Sequence, residues 1–250
     1  MGKHIEQRNI KLVIAYDGSG YHGFQRQENA LAVQQVLEER LASLFGHKLT
    51  LHGAARTDTG VHAYGQVVNF HTNGRIPVER IPLAARGVLP ADIVISAAEE
   101  VAPSFHARIA AKSKQYLYRI YCQQTANPFC RNFAWHIKGN LNIEDMHAAS
   151  QSIVGTHDFS TFRAAGSTST NPVRTMYDAG VKQVGDYIEF HVRGSGFLYH
   201  MVRNFTGTLV EIGLGRKSVA EMAALLAEKD RSLAGATAPP QGLYLQEVSY

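Results

Sequence analysis

Short apolar runs alternate with stretches of helical periodicity along this chain, and the alternation occurs twice. Residues 9–16 (NIKLVIAY) predict a buried strand, ended by the turn Asp17-Gly18-Ser19-Gly20. Residues 32–45 place Val33, Val36, Leu37, Leu41 and Leu44 on one face of a helix that Gly46 stops. A short strand over 49–51, a strand over 67–71, a short helix over 78–87 and a strand over 93–101 follow. The second run has a strand over 114–122 and a helix over 143–154, with Asn142 as its N-cap and Gly155 behind it. Residues 174–184 and 187–193 predict a hairpin across Gly185-Asp186. Helices over 197–212 and 219–228 and a strand over 243–248 complete the pattern.

Strand, helix, strands, helix in each half predicts an α+β fold of two halves sharing one sheet. The boundary falls near residue 105, dividing the chain into 1–105 and 106–250. The halves share no strong sequence repeat. Residues 166–171 (GSTSTN) form a polar loop of the kind that orders on a partner.

The chain has 250 residues, 45% of them hydrophobic, enough for a well-buried core. No run approaches the roughly 18 apolar residues of a membrane span. Residues 1–8 carry charge without an apolar stretch, which predicts no signal peptide, and Glu6 stands where a myristoylation motif needs Ser or Thr. The two cysteines, Cys122 and Cys130, read as reduced thiols of a cytoplasmic protein. A net charge of +4, from 25 basic and 21 acidic residues, leans toward a polyanionic partner.

Against that background, the segment from Gly53 to Ala63 (GAARTDTGVHA) carries one carboxylate, Asp58, among Arg56, Thr57, Thr59 and Gly60. A glycine-bounded turn between strands lifts a side chain off the sheet. A nearby Arg would keep the carboxylate ionised as a nucleophile or base. An Asp that only makes its own turn is the competing reading. The stretch from Asp17 to Gly23 (DGSGYHG) lacks the lysine and spacing of phosphate-binding loops, so it reads as a tight turn, beside which Phe24-Gln25-Arg26-Gln27 could face RNA. His52, His62 and His71 lack metal-ligand spacing, and no metal is expected. Along Lys114-Gln115-Tyr116-Leu117-Tyr118-Arg119, the two tyrosines share a strand face and are either packing residues or a platform for a base. In the segment 194–204 (GSGFLYHMVRN), Phe197, Met201 and Phe205 fall at helical core spacing. Tyr199 and Arg203 fall on another face, where Arg203 needs a charge partner such as Asp58 or a route to solvent.

Together these segments resemble the tRNA pseudouridine synthase A family. The resemblance is carried by YDGSGYHGFQRQ (16–27), ARTDTGVHAYGQVVNF (55–70), FHAR (105–108), YLYRI (116–120), NPF (127–129), HDFSTF (157–162), GSGFLYHMVRNFTGTL (194–209) and APPQGLYL (238–245). Ala55 stands where the family usually has Gly, and Phe24 where it usually has Trp. The resemblance implies two pseudo-symmetric, ferredoxin/RRM-like halves around a central, mainly antiparallel sheet flanked by helices, with a cleft between them. It also implies a homodimer that needs no cofactor and no metal. The implied reaction isomerises uridine to pseudouridine at positions 38, 39 and 40 of the tRNA anticodon stem-loop.

In this reading Asp58, carried by the first half, is the catalytic residue and acts as nucleophile or base. Tyr116 packs on the base, Arg203 holds Asp58 ionised, Arg56 fills the space of the flipped nucleotide or binds its phosphate, and Leu243 is an apolar wall. Tyr116 and Arg203 belong to the second half. A non-catalytic RNA-binding sheet is the main rival, but it leaves an acidic residue in an RNA cleft unexplained. A glycosidase-like hydrolase would want a second carboxylate near the first.

Overall fold

A computed structural model describes residues 7–167 and 169–250. The leader and myristoylation readings of residues 1–6 and position 168 of the polar loop lie outside the described residues. The fold is α+β, a large, mostly antiparallel sheet flanked by helices. The chain forms two compact units, residues 1–112 with 245–250, and residues 113–244. The division thus falls a few residues beyond 105, and the last residues of the chain return to the first unit.

In the first unit, β1 (Arg8–Tyr16) lies between β3 (His62–Thr72) and β4 (Ile93–Val101), antiparallel to both, and the two-residue β2 (His52–Gly53) pairs with β3. Strand alternation along β1 buries Ile10, Leu12, Ile14 and Tyr16 on one face. Between β1 and β2 runs α1 (Val33–Phe45), which buries Val33, Leu37 and Leu41 and ends where Gly46, at φ 73°, donates to the Ala42 carbonyl. A single 3-10 turn leads into the short α2 (Ile81–Ala85). The expected strand over 49–51 instead lies at β2, because Leu49 and Leu51 are loop residues that reach the core.

The second unit has the strand order β5-β9-β8-β7, with the three-residue β6 (Trp135–Ile137) parallel on β5. The strands are β5 (Ser113–Cys122), β7 (Gly155–Asp158), β8 (Val173–Val184) and β9 (Tyr187–Gly194). The hairpin closes as the Gly-Asp turn predicts, with Val184 opposite Tyr187. The Asn142 side chain accepts from the Asp145 amide at 3.1 Å to cap α3 (Ile143–Gln151). In α4 (Met201–Gly213), Arg203 and Glu211 are the two half-buried side chains of a helix otherwise buried all round. Phe159, Phe162 and Phe205 meet at ring-centroid distances of 4.7–5.6 Å and anchor α4 in the core. After it come α5 (Val219–Glu228), started by a Ser218/Glu221 capping box, and β10 (Leu243–Ser249).

One expected element is corrected. The helix predicted over 197–212 begins only at Met201. Residues 195–200 are irregular, and His200, at φ 58°, takes the left-handed conformation just before the first turn. Phe197 and Tyr199 are therefore not helical, and Tyr199 does not share a helix face with Arg203. Phe197 is half-buried, whereas Met201 and Phe205 are core as expected.

Candidate active site

Asp58 occupies the turn between β2 and β3. The Val61 amide donates to the Asp58 carbonyl at 3.1 Å, and Gly60 takes φ 76°, closing a tight turn with the carboxylate at its first position. Along this turn Arg56 is exposed, Thr57 is buried and Asp58 is half-buried, so the arginine and the carboxylate are separated by an inward-pointing threonine.

That threonine is one of several anchors. The Thr57 and Tyr16 hydroxyls bond at 2.7 Å, and burial pushes the Tyr16 phenol far above its ordinary range, keeping it neutral. The Gln66 amide on β3 clamps Ala55 from both sides, donating to its carbonyl at 2.8 Å and accepting from its amide at 3.2 Å.

The stretch 17–23, read from sequence as a tight turn, forms with the buried Phe24 the second wall of this loop. The Phe24 amide donates to the Thr57 carbonyl at 3.1 Å, and Gly60 donates to the Tyr21 carbonyl at 3.3 Å. The approach is too close for side chains. A β-carbon on Gly18 would stand 2.0 Å from the Val61 carbonyl oxygen, and one on Gly23, which has φ 84°, 2.6 Å from the Thr57 carbonyl oxygen. Gly18 and Gly23 of DGSGYHG serve contact with the Asp58 turn rather than a phosphate.

His62, the first residue of β3, is 2% exposed. Its Nδ1 lies 3.0 Å from the Gly18 amide and 3.1 Å from Asp17 Oδ1. A ring nitrogen cannot accept from the first and donate to the second at once. Asp17 Oδ1 already receives the Ser19 amide and hydroxyl, so we assign Nδ1 as acceptor from Gly18. His62 is thereby a structural residue of the two facing loops.

The remaining predicted site residues belong to the second unit. Tyr116 on β5 is 8% exposed, with the Phe197 ring edge-on at 4.9 Å. Arg203, in the first turn of α4, is tied reciprocally to Ala238. Its Nε donates to the Ala238 carbonyl at 2.7 Å, and the Ala238 amide donates to the Arg203 carbonyl at 3.1 Å. Tyr118 donates its hydroxyl to the next carbonyl, Pro239, at 2.7 Å. A β-carbon on Gly242 would stand 2.6 Å from the Tyr118 ring, so the 238–242 segment lies flat against β5 and delivers Leu243, 6% exposed, to the start of β10. The segment is also held from behind, where a β-carbon on Gly207 of α4 would meet the Ala236 carbonyl oxygen at 1.7 Å. Arg203, Tyr118 and the segment leading to Leu243 thus form one bonded group, and Phe197 holds Tyr116.

Tyr118 is therefore no platform for a base. It is fully buried, and burial pushes its phenol far above the ordinary range while the nearby Arg203 charge opposes the shift. Arg119, on the opposite face of β5, is likewise committed, with Nε donating to Glu189 at 2.9 Å and its guanidinium 5.1 Å from the Tyr244 ring centre. Sequence reasoning missed Tyr16, Gln66 and Ala238. Gln66 had a visible signal, a polar residue at a buried position of a strand.

A half-buried carboxylate on a glycine-buttressed turn in one unit, and a tyrosine strand with an arginine helix in the other, are set in sequence segments that match a known family. The sequence profile of the tRNA pseudouridine synthases matches residues 12–108 and 149–250, and the chain belongs to this family of isomerases, which convert uridine to pseudouridine. It is 49% identical over 243 residues to a protein of Thermoanaerobacter sp. (strain X514) named tRNA pseudouridine synthase A, covering 97% of this chain and 100% of that one. Proteins of the same name from Acetivibrio thermocellus and Geobacter sp. (strain M21) are 46% and 45% identical, each covering 97% of this chain and 100% and 99% of their own length.

Proposed function

We propose that this protein isomerises uridines 38, 39 and 40 in the anticodon stem-loop of tRNA, with Asp58 as the nucleophile. The observation that carries the reading is the mounting of Asp58. Its backbone is fixed by Thr57, Gly60 and Val61, which leaves a half-buried carboxylate at the tip of a rigid turn. Such pre-organisation suits a group that must meet a reacting atom without reorganising.

The target nucleotide must leave the stack before its glycosidic bond can be reached. The Asp58 carboxylate then attacks the ribose or the base, or draws a proton from the sugar, as the N1–C1′ bond breaks. The uracil turns, C5 bonds to C1′ as the carboxylate is released or returns the proton it took, the C5 proton is lost and N1 gains one, so atoms balance without oxidant or reductant. Tyr116, with Phe197 at its edge, offers an aromatic face to the base. Arg203 pairs with Asp58 and keeps it ionised, Leu243 forms an apolar wall, and exposed Arg56 takes the place of the flipped nucleotide or its phosphate. In this division of labour, the 1–105 half carries the nucleophile and the 106–250 half carries the groups that hold the base. The enzyme works as a cytoplasmic homodimer.

Transcripts retaining a single uridine at position 38, 39 or 40 test the site assignment. Each should acquire pseudouridine, and modification confined to uridines elsewhere would overturn it. Sedimentation of the free protein at twice the chain mass is the expected outcome for the dimer.

A further inference from the structure

At the end of β3 farthest from the Asp58 turn, a cleft of about 290 Å³ opens on the first unit. Its walls are polar throughout and include His47, Lys48, Thr50, His52, His71 and Asn73, with no carboxylate among the described lining residues. Because both ring nitrogens of His47 are already bonded, the imidazoles of His52 and His71, the Lys48 ammonium and hydroxyl and amide donors make the set of hydrogen-bond donors that suits a compact anion. At about 3.3 Å per residue His71 lies roughly 30 Å along β3 from His62, whereas His52, six residues before Asp58, lies at most about 20 Å from the turn.

The surrounding groups leave this capacity available. His47 is structural, with Nδ1 on the Lys48 carbonyl at 2.9 Å and Nε2 on the Thr72 hydroxyl at 2.8 Å. His71 donates Nε2–H to the Pro103 carbonyl at 3.0 Å, so a proton arriving at Nδ1 adds a donor and a charge. The His52 ring lies 4.7 Å from that of His106. Partial burial, followed by the neighbouring His106 and His71, lowers the His52 pKa, while Glu38 opposes the shift. The Glu38 carboxylate is itself engaged, by Arg26, the Gln34 side chain and the Leu51 amide. The His52 imidazole, crowded in this way, resists protonation until an anion arrives to compensate it.

We propose that this cleft binds a backbone phosphate of the substrate RNA, remote from the reacting uridine, through Lys48 and the imidazoles of His52 and His71. The identity of the anion as RNA rests on the reading above, whereas the phosphate chemistry of the cleft does not. Binding is coupled to proton uptake, so the contact strengthens as the pH falls through the histidine range.

Two measurements test this. In the first, the imidazole resonance of His52 is followed through a pH titration of the wild-type protein, with and without inorganic phosphate. Phosphate should raise its apparent pKa, and an unmoved titration overturns the site. In the second, the Lys48→Gln/His71→Gln double variant is compared with wild type for binding to full-length tRNA and to an isolated anticodon stem-loop. Full-length tRNA should bind several-fold more weakly at pH 6, with a salt slope shallower by about one unit. The isolated stem-loop, which carries only part of the tRNA backbone, should lose less affinity than full-length tRNA. Equal tRNA affinity for variant and wild type overturns the RNA contact, and with a shifted His52 titration it reduces the site to one for free anions. A wild-type protein that binds tRNA through this cleft yet forms no pseudouridine would contradict the proposed function and leave this contact standing.

Discussion

The hydroxyls of Tyr16 and Thr57 meet at 2.7 Å inside the first unit, one residue before Asp58. A strand end is thereby bolted to the turn that carries the proposed nucleophile. Tyr16→Phe leaves the buried Thr57 hydroxyl without this partner, at about 1–3 kcal/mol. We expect a lower Tm by chemical or thermal unfolding. Turnover should drop further than tRNA affinity, because the lost bond positions Asp58 rather than the RNA.

Gly18 and Gly23 make the same point through sterics. Gly18→Ala drives a methyl to 2.0 Å from the Val61 carbonyl oxygen, and Gly23→Ala adds a left-handed φ of 84° to a 2.6 Å clash. Overpacking of this kind costs roughly 1–3 kcal/mol, with about 1–2 kcal/mol more for the backbone at Gly23. Both variants should lose at least ten-fold in kcat. Gly20→Ala, whose β-carbon meets nothing within 4 Å, should retain wild-type activity and is the internal control.

These contacts mark the limit of what the sequence discloses. The hairpin across Gly185-Asp186, the α3 cap at Asn142 and the extents of α1 and α5 depend on residues close in the chain, and they were legible. The α4 boundary was misjudged because Phe197, Met201 and Phe205 satisfy helical spacing. Only the left-handed His200 reveals that the chain enters the helix later. The three residues of β6 and four of β7 are too short for any period to register. Asp58 and Tyr116 could be singled out from motif and resemblance. The opposed packing of DGSGYHG on the Asp58 turn joins segments about forty residues apart, and no local pattern encodes it.

Tyr116 and Tyr118 look equivalent in sequence and should respond in opposite ways. Tyr118→Phe removes the bond to Pro239 and should cost about 1 kcal/mol of stability. Its turnover should fall only through the looser Leu243 segment. Tyr116→Ala should preserve folding better than it preserves activity, losing the aromatic face against the base, a contact worth about 1–3 kcal/mol. Unfolding curves and kcat/KM for the two variants separate these outcomes.

His52 has a folded pKa below its ordinary value of 6.5. The unfolded chain therefore binds the proton more readily, so stability is lost as the pH falls below about 6.5 and is retained above it. Denaturation in phosphate-free buffer at pH 7.5 and 5.5 should show a smaller loss for His52→Gln than for wild type. An equal loss would assign the pH dependence to other groups.

The central claim is that the Asp58 carboxylate performs the chemistry. Asp58→Asn keeps the side chain's shape and the Val61-to-Asp58 backbone bond while removing the charge and the nucleophilic oxygen. Incubated with unmodified tRNA tritiated at uridine C5, the variant should bind with near wild-type affinity and release tritium at least about 10⁴-fold more slowly. Tritium release at the wild-type rate would contradict the assignment.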